Sequence, residues 1–195
     1  MTSFYDLVES NRTCRRFYQD ENIDFEILEY LVNLARLSAS AGNLQPLKYF
    51  ITNSEEINEK IFSCIAWAAY LKDWPGPEIG ERPSAYIIVT GDTSIAKNFG
   101  CDHGIASQTI LLGAREKNIA GCMIGAFKKN QLMSLLNIPS KFEILLVIAL
   151  GKPKEKVTIE TIEKDGDIKY FRDQHLVHHV PKRKLEDIIF NLNVE

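Results

Sequence analysis

Residues 142–150 read Phe-Glu-Ile-Leu-Leu-Val-Ile-Ala-Leu, an almost unbroken apolar run. A strand with one wet face would alternate apolar and polar residues, and this one does not, so both of its faces must be covered. Its apolar core, Ile144 to Leu150, is far shorter than the ~20 residues a membrane-spanning helix needs. The chain therefore has to build a sheet with further layers packed on each side.

The rest of the pattern supplies those layers. Leu47–Thr52 and Ala85–Thr90 read as strands, the second centred on Ile87, Ile88 and Val89. Gly121 to Phe127 reads as a short strand and its exit. Leu28, Leu31, Val32 and Ala35 recur at helical spacing, which predicts a helix from Asp24, its N-cap, to Leu37. Ser54 is placed to cap a second helix over 55–65, whose Glu55 and Glu56 suit the positive end of the helix dipole. Lys129–Leu136 is a short helix closed by Pro139, and Leu185–Leu192 is expected to be a last one. Val157–Lys169 reads as a polar loop with a hairpin at Asp165-Gly166, and Trp74–Pro83, with three prolines and two glycines, as a loop.

The helix expected over Gly104–Lys117 is unusual, because Gly104 to Ala114 carries no charge. Such a helix is buried on most sides, in a core or at a subunit interface. Interspersed strands and helices give an α/β (α+β) class, and 195 residues suit one domain spanning 1–195. Neither G-x-G-x-x-G after a strand nor G-x-x-x-x-G-K-[ST] occurs, which argues against a Rossmann domain and a P-loop.

The formal charge of −3 lacks the basic excess of a nucleic-acid binder. Met1 to Asp6 is not a basic stretch followed by an apolar run, so no secretory signal is read and a cytoplasmic location is expected. Cys14, Cys64, Cys101 and Cys122 are then expected as thiols, and none lies at zinc-ligand spacing. His175 and His179 are four apart, but their segment looks extended and no metal site is expected.

Three polar clusters can carry chemistry. Asn11-Arg12-Thr13-Cys14-Arg15-Arg16-Phe17 places three guanidinium groups and a hydroxyl within five residues, chemistry suited to phosphate; a solvated basic turn reads equally well. Ser38-Ala39-Ser40-Ala41-Gly42-Asn43-Leu44-Gln45-Pro46 combines small residues with amides. It can approach a polyol or heterocycle edge closely, or simply end a helix. Pro181-Lys182-Arg183-Lys184 can close on a phosphate or start a solvated helix.

In their order and spacing, these segments resemble the nitroreductase family. The Asn11–Phe17 segment is similar to the family's Arg-Arg-Ser-x-Arg-x-Phe signature, with Asn11 in place of its first arginine. Ala39–Pro46 is similar to Pro-Ser-x-x-Asn-x-Gln-Pro, with Ala39 replacing the proline and so lifting a φ restraint. The uncharged helix, the strand exit at Gly121–Phe127, Gly151-Lys152-Pro153 and Pro181–Leu185 follow in family order.

The resemblance implies a central, mostly antiparallel mixed sheet flanked by helices, in an intertwined homodimer with FMN at the interface. Arg12, Thr13, Lys182 and Arg183 would hold the phosphate, with Lys184 as a substitute. Arg15 would meet the N1/O2 edge of the flavin ring, and Ser40, Asn43 and Gln45 the ring and ribityl chain. The backbone of Ile124, Gly125 and Ala126 would reach N5 and O4. No side chain is expected to act as catalytic acid or base. The implied activity is ping-pong hydride transfer from NAD(P)H through FMN to a nitroaromatic, quinone or similar acceptor. Alternatives are a specialised flavoenzyme (a dehalogenase or peptide-modifying oxidase, with residues 66–82 as substrate lid, a loop that reads equally as an aromatic cluster at the dimer edge) and a flavin-binding protein without turnover.

Overall fold

The computed structural model describes residues 3–190. Its first helix, α1 (Phe4–Ser10), is closed by a capping box in which Ser3 and Asp6 bond each other's backbone N–H. The short strand β1 (Phe17–Tyr18) and the amphipathic helix α2 (Phe25–Arg36) follow. Strands β2 (Leu47–Thr52) and β3 (Ala85–Asp92) flank helix α3 (Glu55–Phe62). Helix α4 (Asp102–Glu116), strand β4 (Ala120–Ile124), helix α5 (Lys129–Leu135) and strand β5 (Phe142–Pro153) complete the central unit.

The main sheet runs β1-β5-β3-β2, and these pairings are antiparallel. Strand β5 is the longest, and besides β3 it pairs with β4 along Val147–Gly151 and with β1 at Lys152–Pro153. The apolar run is explained by its neighbours. Ile148 and Leu150 join Ile87 and Val89 against α2 and α4, while Val147 and Ala149 join Tyr86 and Ile88 against α3 and α5. Strand β3 is buried along its whole length for the same reason.

Two glycines stand where backbone or side chains crowd. A Cβ on Gly121 would lie 2.6 Å from the Ala149 carbonyl oxygen, and one on Gly113 would lie 2.3 Å from Leu34 where α4 crosses α2. Helix α4 starts at Asp102, two residues earlier than expected, and α3 stops at Phe62 rather than 65. Asp24 and Ser54 hold the N-cap positions of their helices without making a side-chain cap bond. The uncharged face of α4 is only partly covered. Ala106, Ile110, Leu111 and Ala114 are buried, whereas Gly104, Ile105 and Gln108 are exposed.

The C-terminal segment corrects the reading of 157–169 as loop. Val157–Ile162 is strand β6, and it pairs in parallel with β8 (His178–Arg183), which pairs antiparallel with β7 (Phe171–Arg172). The alternation Val157-Thr158-Ile159-Glu160-Thr161-Ile162 was present, but a parallel partner sixteen residues further on leaves no local turn signal. At Asp165-Gly166 there is a turn closed by Gly166 N–H to Glu163 O, without the hairpin. The expected last helix is a single 3-10 turn, Leu185–Asp187, and the end of that expectation lies outside the described residues.

Candidate functional site

The signature loop is fastened to the edge of β4. Thr13 bridges Gly121 in parallel, and Cys14 N–H donates to Gly121 O at 2.9 Å. Extended backbone sends alternate side chains to opposite faces. Cys14 therefore points inward, packed with Phe17 and Ala120, and burial followed by the Glu155 charge pushes its thiol up to about 12. Thr13 lies exposed on the other side.

The three arginines of this loop have three different settings. Arg12 reaches back to the last turn of α1, donating from Nη2 to Val8 O at 2.7 Å, and its buried Nε has no partner among the described residues. Arg16 turns away from the other two and grips Glu81 with Nε and Nη2 at 2.5 and 2.7 Å. Lys154 joins that carboxylate at 3.0 Å, and the pairing lowers Glu81 to about 2. Arg15 lies against β4, near enough to the buried Cys122 to favour its thiolate, although burial still raises that thiol to about 11.

Beyond Ile124, which is buried, the chain leaves the sheet at Gly125 and Ala126, both exposed. Nothing lies within 4 Å of a Cβ built on Gly125. Neither the Gly125 nor the Ala126 N–H meets a backbone acceptor among the described residues. The Ala126 carbonyl accepts from Ala66 N–H at 2.9 Å, which ties the exit to the start of the 66–82 loop. The strand exit thus leaves two N–H groups without a backbone acceptor among the described residues.

Ser40, Asn43 and Gln45 lie elsewhere. Asp102, buried at the start of α4, accepts from Ser40 Oγ at 2.6 Å and from Ala41 N–H at 3.0 Å. Ser40 Oγ in turn accepts from Gln45 N–H. Gly42, Asn43 and Gln45 have φ of 57°, 53° and 51°, the left-handed region that glycine and asparagine tolerate best. This loop borders a cavity of about 400 Å³ with Val32, Tyr49 and Asp102. Burial and the Asp102 charge raise Tyr49 to about 12. Arg12 and Cys14 line a separate cavity of about 480 Å³, and the two share no residue. A larger hollow, about 730 Å³ beneath the opposite end of β3, contains none of the expected residues.

Lys182 and Arg183 are exposed on β8. Arg183 donates to Lys164 O at 2.8 Å, and Lys184, just past the strand, pairs with Glu163 at 2.7 Å. One chain thus fastens the Arg12–Arg15 loop to β4 at Gly121 and carries Gly125 and Ala126 at the exit of the same strand, whereas the Ser40–Gln45 loop borders a separate cavity and Lys182–Lys184 follow β8.

Sequence reasoning missed four residues around Arg15: Glu155, Tyr170, Arg172 and His178. The carboxylate of Glu155 accepts from Arg15 N–H at 2.8 Å and from Arg172 Nε and Nη2 at 2.9 and 2.6 Å. A lone acid in Lys152-Pro153-Lys154-Glu155-Lys156 was the available signal for it. The overlooked Asp102 had one too, as the acid preceding an uncharged helix.

The nitroreductase family profile matches residues 8–152. A Methanothermobacter thermautotrophicus protein, provisionally named NADH dehydrogenase/NAD(P)H nitroreductase, is 30% identical over 159 residues, covering 77% of this chain and 78% of its own length. An Archaeoglobus fulgidus protein with the same provisional name is 28% identical over 149 residues, covering 72% and 80%. Among solved structures, a nitroreductase family protein from Clostridium novyi superposes with a TM-score of 0.65 at 23% identity, covering 78% of this chain and 86% of that one. An FMN-dependent nitroreductase from Clostridium difficile gives 0.64 at 18% identity, covering 86% and 97%. With a profile that spans the signature loop, α4, the β4 exit and all but the last residue of β5, this chain belongs to the nitroreductase family.

Proposed function

We propose that this chain is an FMN-dependent NAD(P)H oxidoreductase that passes hydride to an electron-poor acceptor such as a nitroaromatic or a quinone. The observation that carries the reading is the pair of N–H groups at Gly125 and Ala126 that meet no backbone acceptor among the described residues, with open space where a Gly125 side chain would stand. Bound FMN supplies a hydride-accepting N5, so the protein's task is binding, orientation and electrostatics. The residues fit it: Gly125 and Ala126 would offer donors to N5 and O4, and Arg12, whose Nε has no partner among the described residues, would with Thr13 offer donors to a phosphate. Arg15 places a fixed cation at the N1/O2 edge, where reduced flavin carries negative charge. The relatives' provisional names support nicotinamide as the reductant.

The site is shared between two copies of the chain. Ser40 and Gln45 border a cavity separate from that of Arg12, so the Ser40–Gln45 loop, Asn43 included, would serve the partner's flavin, and Lys182 and Arg183 would reach a phosphate in the same way. Gly104, Ile105 and Gln108 on α4, and Phe4, Tyr5 and Val8 on α1, are exposed uncharged residues that a second copy would cover. Among the described residues no helix is long and apolar enough to cross a membrane.

The purified protein is expected to be yellow, dimeric by light scattering, and to release FMN on heating. Anaerobic NADH or NADPH should bleach it, and a flavin left oxidised by both would reject the activity. Gly125→Val is expected to fold, since nothing lies within 4 Å of the new Cβ, but to lose flavin; full occupancy would reject the placement. A second reading, a flavoenzyme with a dedicated substrate, draws on the 66–82 loop. Its Tyr70 packs on Tyr170 at 5.0 Å and its Trp74 on Arg172 at 4.1 Å, which gives the loop a cover's attachments within its own chain.

A further inference from the structure

Arg15 is held from three directions. Its backbone N–H donates to Glu155 Oε2 at 2.8 Å. Its guanidinium carbon lies 4.8 Å from the centre of the Tyr170 ring. Its Nη1 lies 3.3 Å from His178 Nε2. All three partners come after residue 152, where the family match ends. The segment that carries them is itself anchored by the Glu155–Arg172 pair, whose side chains are 0% and 12% exposed. Arg172 then stacks on Trp74, and Tyr170 packs on both His178 and Tyr70.

The chemistry of these contacts is directional. A guanidinium only donates, so His178 Nε2 must accept and the imidazole is neutral with its proton on Nδ1. That Nδ1 is buried and faces Glu155 at 4.0 Å. Burial, the strongest influence, lowers His178 to about 4, which agrees with a neutral ring. The Tyr170 face attracts the same cation through its ring quadrupole. Neither partner neutralises Arg15. They fix its direction and leave its full charge available to a ligand beside β4. A long arginine side chain would otherwise spread over many rotamers, and ordering it carries an entropic cost.

We propose that Tyr170 and His178 are positioning residues for Arg15, so that the segment beyond the family core sets the reduction potential of the flavin. The proposal rests on the flavin reading above. Arg15 held at the N1/O2 edge stabilises reduced over oxidised flavin, and an unheld Arg15 does so less. The quantity that responds is the ratio of affinities for reduced and oxidised FMN.

The test is the midpoint potential of FMN-loaded protein, together with the affinity for oxidised FMN, in Tyr170→Leu, His178→Leu, the double variant, Tyr170→Phe and Arg15→Ala. Each single leucine variant should lower the affinity ratio roughly threefold. For a two-electron couple that is a shift of about 14 mV to more negative potential. The double variant should lose roughly tenfold, or about 30 mV. Tyr170→Phe keeps the ring face and should keep the parental potential. A leucine substitution that only loosened the fold would lower the melting temperature and leave the ratio of affinities for reduced and oxidised FMN unchanged. Parental potential in both single variants and in the double, with a shift in Arg15→Ala, overturns the positioning role and leaves the flavin reading intact. No shift in Arg15→Ala overturns the placement of Arg15 and the proposal with it. A parent that binds no FMN overturns both readings. If the double variant fails to fold, the two single variants decide.

Discussion

Replacing Glu155 by leucine tests how the C-terminal segment is fastened to the central sheet. The carboxylate is fully buried and accepts three hydrogen bonds, one from Arg15 N–H and two from Arg172. Removing it leaves a guanidinium 12% exposed without its counter-charge and a backbone N–H without its acceptor. Breaking a buried ion pair from one side costs about 3–5 kcal/mol. Arg172→Leu alone leaves a buried carboxylate that still binds Arg15 N–H, at about 3 kcal/mol. The double replacement strands no charge and should cost only about 1–2 kcal/mol, because a buried pair exchanged for apolar groups is near neutral. The expected signature is a double-mutant cycle with a coupling of at least about 2 kcal/mol. Urea unfolding at neutral pH, followed by far-ultraviolet circular dichroism, measures all four corners of the cycle. Single variants near parental stability, or a coupling below about 0.5 kcal/mol, would refute the reasoning.

Gly121→Ala should destabilise by about 3 kcal/mol, because its Cβ would meet the Ala149 carbonyl oxygen at 2.6 Å and backbone yields poorly; thermal melting checks it, and a parental melting point would contradict the crowding. Cys101, the one exposed cysteine among the described residues, should react quickly with a disulfide reagent, while Cys14 and Cys122, raised to about 12 and 11, stay inert until unfolding; three or four fast thiols would be the wrong result. Acid stability follows two windows. His178 binds its proton less readily folded than unfolded, so stability is lost as pH falls from about 6.5 towards 4, and the difference curve against His178→Gln should show that limb. The Arg16–Glu81 pair contributes above about 4.5 and is lost as pH falls towards 2, so Glu81→Gln should flatten only the lower window in an acid titration of unfolding.

Much of the central unit was legible because its signals are local. The run at Ile144–Leu150 reports burial on two faces, and that alone demands helices on both sides of the sheet. The spacing of Leu28, Leu31 and Ala35 places α2, and the left-handed backbone at Gly42 and Asn43 is what those residue types favour. The arginine-rich and amide-rich loops were likewise visible as chemistry, and family order gave them a cofactor.

What the chain order hides is which loops meet. Arg15 finds Glu155, Tyr170 and His178 across separations of 140 to 163 residues, and no local pattern encodes such a contact. Strand β6 was read as loop because its partner is parallel and distant, so neither a turn residue nor a hairpin marks it. The three neighbouring arginines look equivalent in sequence, yet tertiary packing gives Arg16 to Glu81, Arg12 to the end of α1, and Arg15 to the ring of Tyr170. Periodicity is a property of neighbours along the chain and can be read from it. The direction of a long charged side chain depends on every surface folded against it, and only the tertiary structure decides that.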